Sequence, residues 1–445
     1  MTTTSFPLLF APAKIDKVRL KNRIVMLPMG TAYATVDGEV TQKTIDHYVE
    51  RAKGGVSLIV VGGTSPFAMP GLNRLVLYDD RFLAGHYELV EAIHTEGIPV
   101  AIQFNHAGRQ WYPWVLEKEQ QPVSSSDVQT FFLGENPYPK PRPLKKEEIY
   151  QIMDRIAEAA ARAKKVGYDM IELHAAHGYL IQQFMSPYSN KRTDEFGGSL
   201  ENRMRFPLEL LKRVRKAVGD SFPIGFRFEG EEFLPGGITI KDSPDMAKVF
   251  EAAGAVYLSV TCGTFDTADR FNDIMRQPEG WKEYIWEAIK KSVKIPIMAG
   301  GGLRHPDFCE RVLAQGKADF IGLARPLLAD PHWANKAKEG RPEDICPCIS
   351  CVECIHGSSR RRNGGGARRC SVNPASGREA EFSELKPATV KKKVMIVGGG
   401  PGGMEAARIA ALRGHKVTLY DKGKELGGAL LLASAPPGKE KLAWF

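Results

Sequence analysis

Cys348-Ile-Ser-Cys351-Val-Glu-Cys354, followed after fifteen residues by Cys370, sets three thiols at close spacing and a fourth at a distance. Four thiolates in this pattern suit a [4Fe–4S] cubane, which is held by four cysteines often drawn from such a run. A zinc site more often pairs two CxxC units and leaves the third close cysteine without a role. The spacing therefore favours a cluster over zinc or free thiols. Cys346 sits just outside the run as a spare thiol. Cys262 and Cys309 stand alone and read as small buried hydrophobes.

Three further motifs could do chemistry. Gly398-x-Gly400-x-x-Gly403 is followed 18 residues later by Asp421. Glycines at this spacing let a backbone approach a pyrophosphate at a helix N-terminus, and the acid can bond a ribose hydroxyl. Gly300-Gly301-Gly302 and, further on, Ala324-Arg325 have the makings of a phosphate cradle, since glycines expose backbone N–H groups and arginine grips bidentately. His174-Ala-Ala-His177-Gly-Tyr179 puts two imidazoles and a phenol within six residues. Such a pair could bind metal, pack inside the fold, or donate hydrogen bonds to a substrate carbonyl. No third ligand stands nearby, so paired donors are favoured, with Tyr179 able to deliver a proton.

These groups need a scaffold, and the apolar pattern supplies one. Eight short apolar runs alternate with charged amphipathic stretches: Ile24–Leu27, Ser57–Val61, Pro99–Phe104, Met170–His174, Ile224–Phe228, Val256–Val260, Ile295–Ala299 and Phe320–Leu323. Continuous apolar strands separated by helices such as 146–165 and 200–218 mean a parallel sheet. Eight units predict a (β/α)8 barrel, in which chemistry gathers at the C-terminal strand ends. The polar and glycine residues fall there: Pro28-Met29-Gly30, Gly62-Gly63, Gln103 with His106 to Arg109, His174 with His177, Arg227, the glycine triplet and Arg325. The expected division is a barrel over 1–340, a cluster-bearing connector over 341–390, and over 391–445 the start of a Rossmann-like domain: a strand at 391–397, a helix at 404–413 and a strand at 416–420.

The net charge is +9, but no nucleic-acid motif and no interleaved aromatics accompany the basic runs at 360–362, 368–369 and 391–393, so nucleic-acid binding is rejected. The runs suit anionic cofactors and could offset the charge of a thiolate-ligated cluster. No apolar stretch is long enough to span a membrane. Seven cysteines, five of them clustered, point to a reducing compartment, hence the cytoplasm.

The residues resemble the old yellow enzyme family of flavin reductases. The resemblance is carried by Leu20 to Ile24, Pro28-Met29-Gly30, Gln103 with His106 to Arg109, His174 to Tyr179, and the stretch from Ser189 to Arg203. The cysteine run and the glycine fingerprint make it similar to the multidomain branch that includes 2,4-dienoyl-CoA reductase, 2-enoate reductase and trimethylamine dehydrogenase. That resemblance implies FMN over the barrel mouth. Pro28, Met29, Gly30 and Gly63 would lie beside the ring, Gln103 on its pyrimidine edge, Arg227 near N1, and Gly300, Gly301, Gly302, Ala324 and Arg325 at the phosphate. It further implies a [4Fe–4S] cluster on Cys348, Cys351, Cys354 and Cys370, FAD on Gly398, Gly400, Gly403 and Asp421, and NAD(P)H as donor. His174, His177 and Tyr179 would be catalytic. The substrate would be a small electron-poor alkene such as an enoate, an enone or a CoA thioester, with an amine dehydrogenase as the alternative.

Two departures stand out. Gly30 replaces the Thr or Cys that tunes the flavin in many relatives, and the His-x-x-His pair is closer to enoate reductases and simple ene-reductases than to dienoyl-CoA reductases. Two strands of the second fold precede Phe445, so an incomplete FAD site and poor use of NAD(P)H are expected of these 445 residues. Association into homo-oligomers is open.

Overall fold

The computed structural model describes residues 5–69, 71–111, 121–131, 139–356, 368–382 and 384–444. The basic run at 360–362 lies outside them. Eight parallel strands close into a barrel: β1 (Ile24–Met26), β2 (Leu58–Thr64), β3 (Val100–Phe104), β4 (Met170–Ala175), β5 (Ile224–Glu229), β6 (Leu258–Thr261), β7 (Ile297–Gly300) and β8 (Phe320–Leu323), each pairing with its sequence neighbours and β8 with β1. All eight strand expectations hold in place, with ends shifted by at most three residues and β8 as expected. β2 runs three residues further than its apolar run, because an irregularity between Val61 and Thr64 carries the glycine pair into the strand.

Alternation along the strands builds two cores. Val25, Leu58, Val60, Ala101, Met170, Tyr257, Met298 and Phe320 pack with Ile15 and Leu20 of an N-terminal hairpin. This fills the barrel rather than leaving a pore. Alternate residues such as Ile24, Ile59, Ile102, Ile171 and Phe226 join the outer core against the helices. Among those helices, α1 (Gln42–Lys53), α2 (Lys146–Lys165) and α3 (Leu200–Val218) bury one face each. α1 is capped by the Thr41 side chain accepting from Thr44 N, and α3 by Ser199 accepting from Asn202 N, in the manner of N-cap hydroxyls.

After the barrel, the connector returns to pack on it. The short helix α4 (Glu379–Phe382) lies against α1. A parallel pair follows, β9 (Lys393–Val397) and β10 (Lys416–Tyr420), joined through α5 (Pro401–Leu412). β9 starts two residues later than expected. α5 starts three residues earlier, since Pro401 is well suited to a first helical turn. No described helix is long and apolar enough to cross a membrane.

Candidate active site

The barrel fold gathers residues far apart in sequence around one cavity at the strand C-termini, of about 1180 Å³ including its open mouth. Pro28, Met29, Gly30, Gly63, Gln103, Arg227, Gly301, Gly302, Ala324 and Arg325 line it together with His174, His177 and Tyr179. Gly300, next to the lining Gly301 and Gly302, stands against Arg227: a Cβ there would meet the Arg227 guanidinium at 2.7 Å. Its lack of a side chain clears room for Arg227.

The stretch from His174 to Tyr179 is held by its neighbours. His174 is the penultimate residue of β4, in register with Arg227 of β5. His177 adopts a left-handed backbone, φ 61°, a conformation that non-glycine residues take mainly where surrounding contacts impose it. Here its N–H donates to Glu229 Oε2 at 2.9 Å, and its carbonyl accepts from Gln110 Nε2 at 3.0 Å. The His174 ring stands edge-on to His177 at 5.1 Å and to Tyr179 at 4.7 Å, while Phe271 lies 4.5 Å from the His177 ring. Burial, followed by the Arg227 charge, holds His174 far below the ordinary imidazole range. Burial, then His174 and Arg227, does the same to His177. Both rings are therefore neutral. His174 Nδ1 is buried without a partner among the described residues, which favours placing the ring proton on Nε2. His177 Nε2 lies 2.9 Å from Thr261 Oγ1, so that nitrogen is shared with a hydroxyl the sequence reading missed.

Under the cavity, Glu172 orients one of the predicted residues, Gln103, and also bonds Tyr257. Gln103 Nε2 donates to its Oε1 at 2.7 Å, leaving the Gln103 carbonyl oxygen for a ligand; Tyr257 donates to Oε2 at 3.1 Å. Arg227 donates to Ser259 at 2.7 Å. At the far wall, Asp273 accepts from Trp281 Nε1 at 2.8 Å, Lys282 at 3.0 Å and Arg325 at 3.2 Å. Asp273 and Lys282 stand isolated on long loops with no motif around them, so the sequence alone did not single them out.

The four cysteines of the run, Cys348, Cys351, Cys354 and Cys370, line one small cavity with Arg325, Leu328 and Ser371. Left-handed backbone at Ser350 and Val352 turns the loop between them. Cys348 and Arg325 line both this cavity and the barrel mouth. Cys346 donates to the Val372 carbonyl at 3.4 Å, outside that lining, and Cys262 and Cys309 are fully buried, as expected. No three described His, Cys, Asp or Glu side chains are gathered closely enough for a single metal ion. In the C-terminal unit, Gly398 and Gly400 lie in the turn between β9 and α5, and Gly403 stands in the first turn of α5. Asp421 directly follows β10, and its carboxylate accepts from Gly399 N and Gly423 N, both at 2.6 Å. It braces the glycine turn itself.

A closed eight-stranded parallel barrel with one cavity at its strand C-termini is the frame on which the comparisons with known proteins place a flavin-dependent oxidoreductase. The chain belongs to the NADH:flavin oxidoreductase / NADH oxidase family, which it matches over residues 8–344, and residues 396–439 match an NAD(P)-binding Rossmann-like domain. It is 48% identical to the NADH oxidase of Thermoanaerobacter brockii, over 99% of this chain and 67% of that protein. It is 37% identical to the cinnamate reductase of Clostridium sporogenes, over 98% and 68%. The solved structure of a 2-naphthoyl-CoA reductase with 2-naphthoyl-CoA superposes with a TM-score of 0.91 at 32% identity, over 99% and 68%. The chain thus spans about two thirds of the length of these relatives.

Proposed function

We propose that this chain reduces electron-poor C=C bonds with electrons that originate from NAD(P)H, and that it works in the cytoplasm. The observation that carries this reading is the charge of the mouth cavity. The histidine pair is neutral, and the single acid among the described lining residues, Asp273, is tied up by Lys282 and Arg325. A cationic amine would find no counter-charge there, which sets the amine dehydrogenase alternative behind. A carbonyl oxygen would find donors.

The residues present fit the groups the family implies. A Cβ on Gly30 would meet nothing within 4 Å, and Gly63, at φ 68°, faces it, so a flat ring can approach the backbone. Gly301, Gly302, Ala324 and Arg325 would hold the FMN phosphate, Gln103 and Arg227 its ring. Cys348, Cys351, Cys354 and Cys370 surround a cavity instead of closing on one ion, which suits a multinuclear cluster over a zinc ion. Gly398, Gly400 and Gly403 would carry FAD, with Asp421 shaping the turn. When bound, these groups supply hydride transfer at the flavin and one-electron exchange at the cluster. The wall shared by Cys348 and Arg325 supports electron passage between the two sites. The unit boundaries we assign are 1–340, 341–390 and 391–445.

The chain's own contribution is polarisation and proton supply. His174 Nε2–H and His177 donate to the substrate carbonyl oxygen, with the substrate competing for the nitrogen that Thr261 holds. Pulling charge onto that oxygen makes the β-carbon electrophilic, and Tyr179, edge-on to His174, is placed to protonate the α-carbon. The test is anaerobic. Loaded enzyme reduced with dithionite should reoxidise with cinnamate or benzylideneacetone, and oxidised enzyme should not bleach with trimethylamine. Bleaching by the amine with no response to either alkene would overturn the reading.

A further inference from the structure

Lys441 belongs to the C-terminal unit but is buried against the barrel. It lies in a single helical turn, Glu440–Trp444. Its ammonium donates to the carbonyls of Met275 at 2.6 Å and Gln277 at 2.7 Å. The same turn makes a second contact: the Trp444 ring stands edge-on to His305 at 5.2 Å. Just ahead of it, a Cβ on Gly438 would come within 3.3 Å of the Arg276 side chain. A buried ammonium is costly unless it is hydrogen-bonded, so the two carbonyls fix where this turn sits.

The loop it meets, 273–280, runs along the far wall of the mouth cavity. Asp273 opens the loop. Its carboxylate holds Lys282 and Arg325, and its carbonyl also accepts from Arg325 at 3.2 Å. Asp273 has a left-handed backbone, φ 45°, which a non-glycine residue keeps where its surroundings impose it. At the other end, Gly280 N donates to the Gly302 carbonyl at 3.0 Å, and Glu279 accepts from the backbone N–H groups of Arg304 and His305. The loop is thus tied to Arg325 at one end and to the glycine pair at the other. Between these ties, Gln277 bonds the Ile274 N–H and the Asp269 carbonyl, and Lys441 takes the Met275 and Gln277 carbonyls.

We infer that Lys441 is a positioning residue for this wall: it fixes the loop that sets Asp273, so the barrel's grip on a flavin phosphate depends on the docked C-terminal unit. This rests on the assignment of Gly301, Gly302, Ala324 and Arg325 to the FMN phosphate. Arg325 grips a phosphate bidentately only from one orientation, and Asp273 sets that orientation by accepting from two of its nitrogens. A loop freed at its middle lets Asp273 relax from its left-handed backbone and carry Lys282 and Arg325 with it. The flavin ring, assigned to Gln103 and Arg227 on other strands, lies outside that chain of contacts.

The experiment titrates the full chain, stripped of flavin, with FMN and with riboflavin, which shares the ring and ribityl chain but lacks the phosphate. Flavin fluorescence reads the binding in parent, Lys441→Met and Lys441→Arg. Lys441→Met should weaken FMN about 10-fold, the scale of one hydrogen bond to a charged group, with under about 2-fold change for riboflavin. Lys441→Arg, which can still donate to both carbonyls, should recover most of the loss. Trp444→Ala, which frees the same turn from His305, should show the same preference for FMN at a smaller size, and it carries the test if Lys441→Met does not fold. Equal weakening of FMN and riboflavin would make Lys441 a general support of the fold, and no weakening of either would uncouple it from the wall. Each of these overturns the inference. A parent that binds FMN no more tightly than riboflavin would instead sink the phosphate assignment itself.

Discussion

Glu379→Gln isolates a buried latch on which the cysteine connector depends. Glu379 of α4 packs against α1 and accepts from Arg51 Nη1 at 2.5 Å, with His47 Nδ1 at 3.3 Å; Arg51 and His47 of α1 are fully buried. Arg51 also donates to the carbonyls of Leu327 and His47, so its other bonds survive the change but its counter-charge does not. Leaving one partner of a buried ion pair uncompensated costs about 3–5 kcal/mol. At roughly 1.4 kcal/mol per decade, opening of the segment 368–382 should rise about 10²- to 10⁴-fold. The rest of that segment is held by single bonds such as Arg368 N to Thr31 O and Asn373 Nδ2 to Leu328 O. Hydrogen exchange by mass spectrometry reads the opening directly, with α2 as internal control. Burial opposes ionisation of Glu379, but the His47 bond and the Arg51 charge outweigh it and hold the carboxyl well below the usual range. A depressed carboxyl contributes stability above its unfolded pKa and loses it as pH falls through the folded one. The latch should thus hold at neutral pH and weaken only in strong acid. Unchanged protection of 368–382 in Glu379→Gln at pH 7 would refute the assignment.

Three further outcomes are expected. Burial raises the Glu232 carboxyl to about 7, so the fold loses stability as pH climbs from the unfolded value through 7, by about 3 kcal/mol for a shift of this size; urea unfolding at pH 5 and pH 8 should show that Glu232→Gln lacks this contribution, and identical pH dependence in both proteins would dismiss it. Gly301→Ala places a Cβ 2.7 Å from Lys282 Nζ on a backbone with φ 88°, and strain of about 1–3 kcal/mol should weaken flavin retention roughly 5- to 150-fold, read by titrating the flavin-free protein with FMN. The double variant His174→Ala/His177→Ala should slow reoxidation by alkene at least about 10²-fold while leaving reduction by dithionite unchanged; parental reoxidation would make the pair structural.

The barrel was legible in the sequence because buried parallel strands read as unbroken apolar runs, and eight of them separated by amphipathic helices admit few other closures. The same regularity placed Gln103, His174, Arg227 and Arg325 at strand ends, where side chains must face the mouth. Local motifs with short, rigid spacing also survived translation into space: the cysteine run surrounds one cavity, and the glycine turn joins β9 to α5. What the sequence could not show were partnerships between residues that no local motif links. Gly300 also clears room for Arg227, and Asp421 also braces its own loop through Gly399 N and Gly423 N. Asp273, Lys282, Glu172 and the Glu379–Arg51 latch carry no local signal, since each acquires its role from a charge or a donor that the folded chain brings to it. Periodicity and spacing are properties of one stretch of chain and are written there. Burial, counter-charge and the direction a loop presents its side chain are set only when the barrel closes and the connector folds back onto it.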